Sequence, residues 1–187
     1  MDRREFFRRG VSKAAEVAIK QADERVAERA KHWIRPPYAL PELEFLLACT
    51  RCNACIEACP HTVIFPLAAR LGADVVNTPA LDLLNKACHL CEDWPCVKSC
   101  EPAALKIPEE DVVLPKLASI SIDETSCLPF MGPECGACAD SCPVPNALNW
   151  NDNRPVIDKA LCTGCGLCRQ ACILDPRAIS IAVIASD

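Results

Sequence analysis

The cysteines fall into four groups of four, and the spacing within each group decides what chemistry they can do. CTRCNACIEACP carries Cys49, Cys52, Cys55 and Cys59 and stops on Pro60. CHLCEDWPCVKSC carries Cys88, Cys91, Cys96 and Cys100, with a longer middle gap. CLPFMGPECGACADSCP carries Cys127, Cys135, Cys138 and Cys142, with a long first gap, and CTGCGLCRQAC carries Cys162, Cys165, Cys168 and Cys172 at the spacing of the first group. These groups account for all 16 cysteines, leaving none over as a redox switch or nucleophile. Thiols recurring at every third residue of a tight loop converge on one centre, whereas disulfide partners face each other across a fold. In a C-x2-C-x2-C-x3-C-P run, three thiolates grip one cubane and the fourth reaches the other cluster of a pair. The expected cofactors are therefore four [4Fe-4S] clusters, with all sixteen cysteines as iron ligands. Structural zinc is the alternative, but zinc favours separated C-x2-C pairs that close a tetrahedron over a triplet on one loop.

Other residue types add no competing chemistry. His61 and His89 lie beside or inside cysteine groups and His32 lies outside them; with four cysteines complete in each group, all three are read as spacers or surface residues. No Ser-His-Asp arrangement, H-E-x-x-H helix or phosphate-binding glycine loop occurs, so no catalytic residues are expected and the chain is not read as an enzyme. Thr163, Gly164 and Gly166 are expected to let the backbone pass close to cluster sulfurs.

Composition supports a core built on clusters. Aromatic residues are only 5% of the 187, and the periodic apolar segments are short, so bound clusters must replace much of the hydrophobic core and the apoprotein is expected to be unfolded or molten. The formal charge of -5 counts every cysteine as neutral. Four oxidised cubanes with their thiolates bring the total to about -13, which excludes nucleic acid as a partner. No run of eighteen apolar residues occurs, so no transmembrane segment is expected.

The elements that must position the cysteines are short, because 16 prolines punctuate the chain. PELEFLLA before Cys49 reads as a helix opened by Pro41. ASISID (118–123) and AISIAVI (178–184) alternate as strands, and ALNW and PVID on either side of NDNR read as a hairpin. The predicted class is α+β, with two bacterial-ferredoxin-like two-cluster modules over residues 41–187. Residues 1–40 form an N-terminal arm with an amphipathic helix whose stripe is Val11, Ala15, Ala18, Ala22, Val26, Ala30 and Trp33. That stripe either packs on the protein's own body or docks a partner.

CHLCEDWPCVKSCEPAAL, the wide first gap of CLPFMGPECGACADSC, and CTGCGLCRQACILDPRAISI together resemble the polyferredoxins that accompany periplasmic nitrate reductase, the NapF and NapG types, and the related ferredoxin of methylamine utilisation. The resemblance runs from about Ile34 to the end of the chain. It implies electron transfer to or from a redox protein partner, such as a molybdenum reductase or a quinol-oxidising membrane complex. The alternative function is a cytoplasmic assembly factor for a cofactor-containing reductase, with clusters structural or passed to the client. The second cysteine group also resembles the iron-sulfur subunits of molybdenum oxidoreductases, where group one pairs with group four and group two with group three. On that nested scheme Cys172 joins Cys49, Cys52 and Cys55; Cys59 joins Cys162, Cys165 and Cys168; Cys142 joins Cys88, Cys91 and Cys96; and Cys100 joins Cys127, Cys135 and Cys138. The alternative is a tandem scheme, in which ASISID and AISIAVI pair and groups three and four share a module. Arg3-Arg4-Glu5-Phe6-Phe7 resembles a twin-arginine export motif. Lys13, Glu16 and Lys20 fall where an apolar export segment would lie, so the expected location is cytoplasmic, with periplasmic export as the alternative.

Overall fold

The computed structural model describes residues 20, 21, 24, 26, 28, 30, 32–108 and 113–184. Among these residues it is a mixture of short helices and three two-stranded ribbons. Lys20, Gln21, Glu24, Val26, Glu28 and Ala30 are helical, and the rest of the expected N-terminal helix lies outside the described residues. At the described end of its stripe, Ala30 and the buried Trp33 pack against Leu67, Val75 and Ala80, so this part rests on the protein's own body.

Helix α1 (Glu42–Ala48) begins where Pro41 fixes φ at -47°, and Glu42 and Glu44 place negative charge in its first turn, where the helix dipole favours it. It buries Phe45 completely and ends as Cys49 turns extended. The Arg35 guanidinium stacks over the Phe45 ring, donates to Glu42 at 2.5 and 2.9 Å, and also donates to Thr78 Oγ1 and the Pro79 carbonyl. Both ends of this ion pair are about nine-tenths buried, and they tie the entry of α1 to the ribbon formed by β1 (Ile64–Pro66) and β2 (Pro79–Leu81).

Four further helices are one turn long: α2 (Ala54–Glu57), α3 (Pro95–Lys98), α4 (Leu128–Met131) and α5 (Leu167–Ala171). Three of them are launched by a left-handed residue, Asn53 at φ 65°, Trp94 at φ 47° and Gly166 at φ 84°. That turn sends the chain sharply from the cysteine before it into the helix that carries the next ligand candidate: Cys55, Cys96 or Cys168. Trp94 is the strained member, because a bulky side chain is disfavoured at positive φ.

The two strands expected from alternation are β3 (Ser119–Ile122) and β6 (Ile179–Ala182), paired antiparallel with Ile120 opposite Ile181 and Ile122 opposite Ile179. The expected hairpin is β4 (Leu148–Asn151) and β5 (Arg154–Ile157). Asp152 and Asn153 at its tip take φ of 50° and 60°, the double left-handed turn that matches strand twist, and these two residue types tolerate it best.

One seam joins the first half of the chain to the second. The Cys88 amide donates to the Cys165 carbonyl at 2.9 Å; beside it, within the second half, the Leu117 amide donates to the Thr163 carbonyl at 2.7 Å. The Ala87 amide donates to Gln170 Oε1 and the Arg169 Nε to the Leu84 carbonyl. Gly164, at φ 77°, lies so close to the Ala118 backbone that a Cβ there would overlap its carbonyl oxygen and amide nitrogen. Gly164 thus allows a close backbone approach to Ala118. Gly166 packs near Leu83 and Ile181. Among the described residues no helix is long and apolar enough to cross a membrane.

Candidate metal centres

Three small cavities are each lined by four cysteines. The first holds Cys49, Cys52, Cys55 and Cys100, the second Cys59, Cys88, Cys91 and Cys96, and the third Cys127, Cys135, Cys138 and Cys172. The remaining four form a further group by electrostatics: Cys165 feels Cys142 and Cys162, and Cys168 feels Cys165 and Cys162. Every cysteine singled out from spacing is therefore brought into a group of four, three from one loop and one from another.

The partners are not those of the nested scheme. Cys172 lies with Cys127, Cys135 and Cys138 instead of with Cys49, Cys52 and Cys55, and Cys100 takes the place beside that first loop. Cys59 lies with Cys88, Cys91 and Cys96, and Cys142 with the loop of Cys162, Cys165 and Cys168. The cause is strand pairing. Antiparallel β3 and β6 bring the approach to Cys127 beside the exit from Cys172, and the packing of α2 against α3 does the same for the first two groups. Short connections make neighbours in sequence neighbours in space.

The donor set fits a [4Fe-4S] cluster. Burial, followed by the charge of neighbouring cysteines, pushes the Cys55 thiol up to about 11 and the Cys96 and Cys168 thiols up to about 12. Cys88 also rises to about 12, mainly through burial. Four such groups cannot be thiolates together without a compensating cation, and iron ligation supplies that charge. Among the described residues no three His, Cys, Asp or Glu side chains close around a single ion; the thiols surround a space.

Two features near these cavities were not legible as such in the sequence. His61 and His89, read there as spacers, stack face to face at 3.6 Å with their planes 7° apart and line the cavity of Cys59, Cys88, Cys91 and Cys96. Burial, then the charge of His61, holds His89 below the ordinary imidazole range. Their positions directly beside cysteine groups were the available signal. Trp150 lines the cavity of Cys127, Cys135, Cys138 and Cys172, and among the described residues its Nε1 is the buried side-chain nitrogen or oxygen without a hydrogen-bond partner. An indole N–H left in that condition costs about 1–3 kcal/mol. It is an orphan donor beside a set of sulfurs, which again suits a group that brings acceptors with it.

A family model described as a 4Fe-4S binding domain matches residues 155–173, the loop of the fourth cysteine group. The chain is 33% identical over 162 residues to the ferredoxin-type protein NapG of Haemophilus influenzae, which covers 79% of this chain and 58% of that protein. It is 33% identical over 163 residues to the methylamine utilization ferredoxin-type protein MauM of Methylophilus methylotrophus, covering 82% of this chain and 72% of that one. The chain belongs to the NapG and MauM family of ferredoxin-type proteins. The ferredoxin-type protein NapF of Escherichia coli is similar too, 32% identical over 149 residues, with 77% of this chain and 82% of that protein covered. No solved structure matches the chain. Family membership makes it an iron-sulfur protein of the electron-transfer type.

Proposed function

We propose that the chain is an electron carrier holding four [4Fe-4S] clusters in two tandem two-cluster modules, one over Cys49 to Cys100 and the other over Cys127 to Cys172. The observation that carries this reading is the serial order of the four cysteine groups. Cys96 of the second group feels Cys55 of the first, Cys88 of the second feels Cys165 of the fourth, and Cys168 of the fourth feels Cys138 of the third. Bound clusters supply one-electron chemistry at potentials set by charge, hydrogen bonding and exposure. The chain's own part is to fix their order, keep water from the inner pair, and present the outer pair to other proteins. Cys88, Cys96 and Cys165 of the inner pair are buried; each outer set has one buried cysteine, Cys55 or Cys138, and Cys52 at one end is exposed. The partner proposed is a redox protein, such as a molybdenum reductase or a quinol-oxidising membrane complex. The names of the relatives, which refer to methylamine utilization and to ferredoxin type, agree with that class.

The test is anaerobic purification followed by iron analysis and reductive titration. A brown protein with about sixteen irons, reducible in one-electron steps, is the expected result. Colourless protein with stoichiometric zinc, or clusters that no physiological reductant reduces, would overturn it.

A further inference from the structure

Trp150 sits on β4 opposite Pro155, and both line the cavity of Cys127, Cys135, Cys138 and Cys172. Trp150 packs against the apolar cluster of Ile120, Cys138 and Ile179, as Cys172 does. The Nε1 is buried and has no protein acceptor. The rest of that wall is apolar, with Ile122, Leu128, Pro129, Ile173 and Leu174 offering no side-chain acceptor. The other tryptophan nitrogen with a described bond, that of Trp33, donates to Glu42, which shows how this fold treats an indole when a protein acceptor is at hand.

We propose that the Trp150 Nε1–H donates a hydrogen bond to a sulfur of the cluster held by Cys127, Cys135, Cys138 and Cys172, and thereby raises the reduction potential of that cluster above what its ligands alone would set. The proposal rests on the reading that these four cysteines hold a [4Fe-4S] cluster. Reduction adds one electron to the cluster and moves no proton, since Trp150 keeps its N–H throughout. A donor aimed at sulfur stabilises the more negative, reduced form more than the oxidised one, so its removal lowers the potential. Trp150 thus makes one end of the series easier to reduce than its cysteine set would dictate.

The experiment uses the full chain, purified anaerobically and titrated with dithionite while the reduced clusters are followed by electron paramagnetic resonance. Trp150→Phe keeps the ring and deletes the donor. With iron content unchanged, one midpoint should fall by on the order of tenfold in the reduction equilibrium, about 60 mV for a one-electron couple, and the other midpoints should stay in place. A second measurement does not depend on that variant folding. In unsubstituted protein grown with ¹⁵N-indole label, a reduced cluster should show hyperfine coupling to ¹⁵N. Absence of that coupling, or unchanged midpoints in fully loaded Trp150→Phe, would overturn the proposal while leaving the four-cluster reading intact. Protein that binds no iron would overturn the reading itself.

Discussion

Replacing Gly164 by alanine tests whether the Thr163–Cys165 loop is seated against the approach to β3 by backbone contact. Gly164 has φ 77°, where a side chain costs about 1–2 kcal/mol. The new Cβ would also overlap the Ala118 carbonyl oxygen and amide nitrogen, which are main-chain atoms with no rotamer to yield. Ala118 is fully buried and directly precedes β3, whose register against β6 is fixed by four residue pairs, so the strand cannot slide aside. Forcing extra volume into such a site costs about 1–3 kcal/mol more. The sum is about 2–5 kcal/mol, with the Leu117 to Thr163 and Cys88 to Cys165 bonds as the first to lengthen. Gly132→Ala provides the comparison, because Gly132 has φ 117° but open space where its Cβ would go, leaving strain of about 1–3 kcal/mol and no overlap. The assay is anaerobic guanidinium denaturation of the loaded protein, following loss of the brown absorbance. Gly164→Ala should bleach at clearly lower denaturant than wild type and lower than Gly132→Ala. If it behaves like wild type to within about 0.5 kcal/mol, Gly164 is not held against the Ala118 backbone and the packing argument fails.

Glu42→Ala should cost about 3–5 kcal/mol, because it strands the buried Arg35 guanidinium; a thermal melt that moves by only a degree or two would refute this. Reconstituting the iron-free protein at neutral pH should release protons, since the buried thiols titrate at about 11 to 12 and must enter as thiolates, so loading should strengthen as pH rises; loading independent of pH would count against thiolate ligation. Stripping iron with a chelator should collapse near-ultraviolet circular dichroism, and a native-like signal in the stripped protein would contradict a core that depends on its clusters. A reporter active only after export, fused behind residues 1–40, should stay silent; activity that depends on Arg3 and Arg4 would place the protein outside the cytoplasm.

Local order was readable where a local rule decides it. Alternation located β3 and β6, the Asp-Asn turn located the β4–β5 hairpin, and Pro41 marked the start of α1. Cysteine spacing located every loop that lines a cavity, because three thiols on one turn are a property of that turn. The fourth thiol of each group was misplaced because it comes from a remote loop, and only the pairing of β3 with β6 and the packing of α2 against α3 decide which. A likeness in one gap of the second group could not carry that information. The contact of Gly164 was hidden for a related reason: positive φ can be suspected from a Thr-Gly-Cys-Gly run, but the backbone it meets belongs to Ala118, forty-six positions away. Trp150 gave no signal beyond its place in an alternating strand, since an unpaired N–H is visible only when everything around it is in place.

The bond from the Cys88 amide to the Cys165 carbonyl, and that from Leu117 to Thr163, join main chain to main chain. Such bonds are blind to side-chain identity but intolerant of a change in chain length. Apart from Gly164, drift in the residues around the junction should therefore cost little, whereas a single insertion at 84–88 or 163–165 would put the wrong peptide opposite its acceptor. The two halves are joined by a ruler more than by a recipe. A hybrid that grafts the second half of a distant relative onto the first half of this chain should assemble if the lengths of those two stretches and the glycine at 164 are kept, however few of their other residues match.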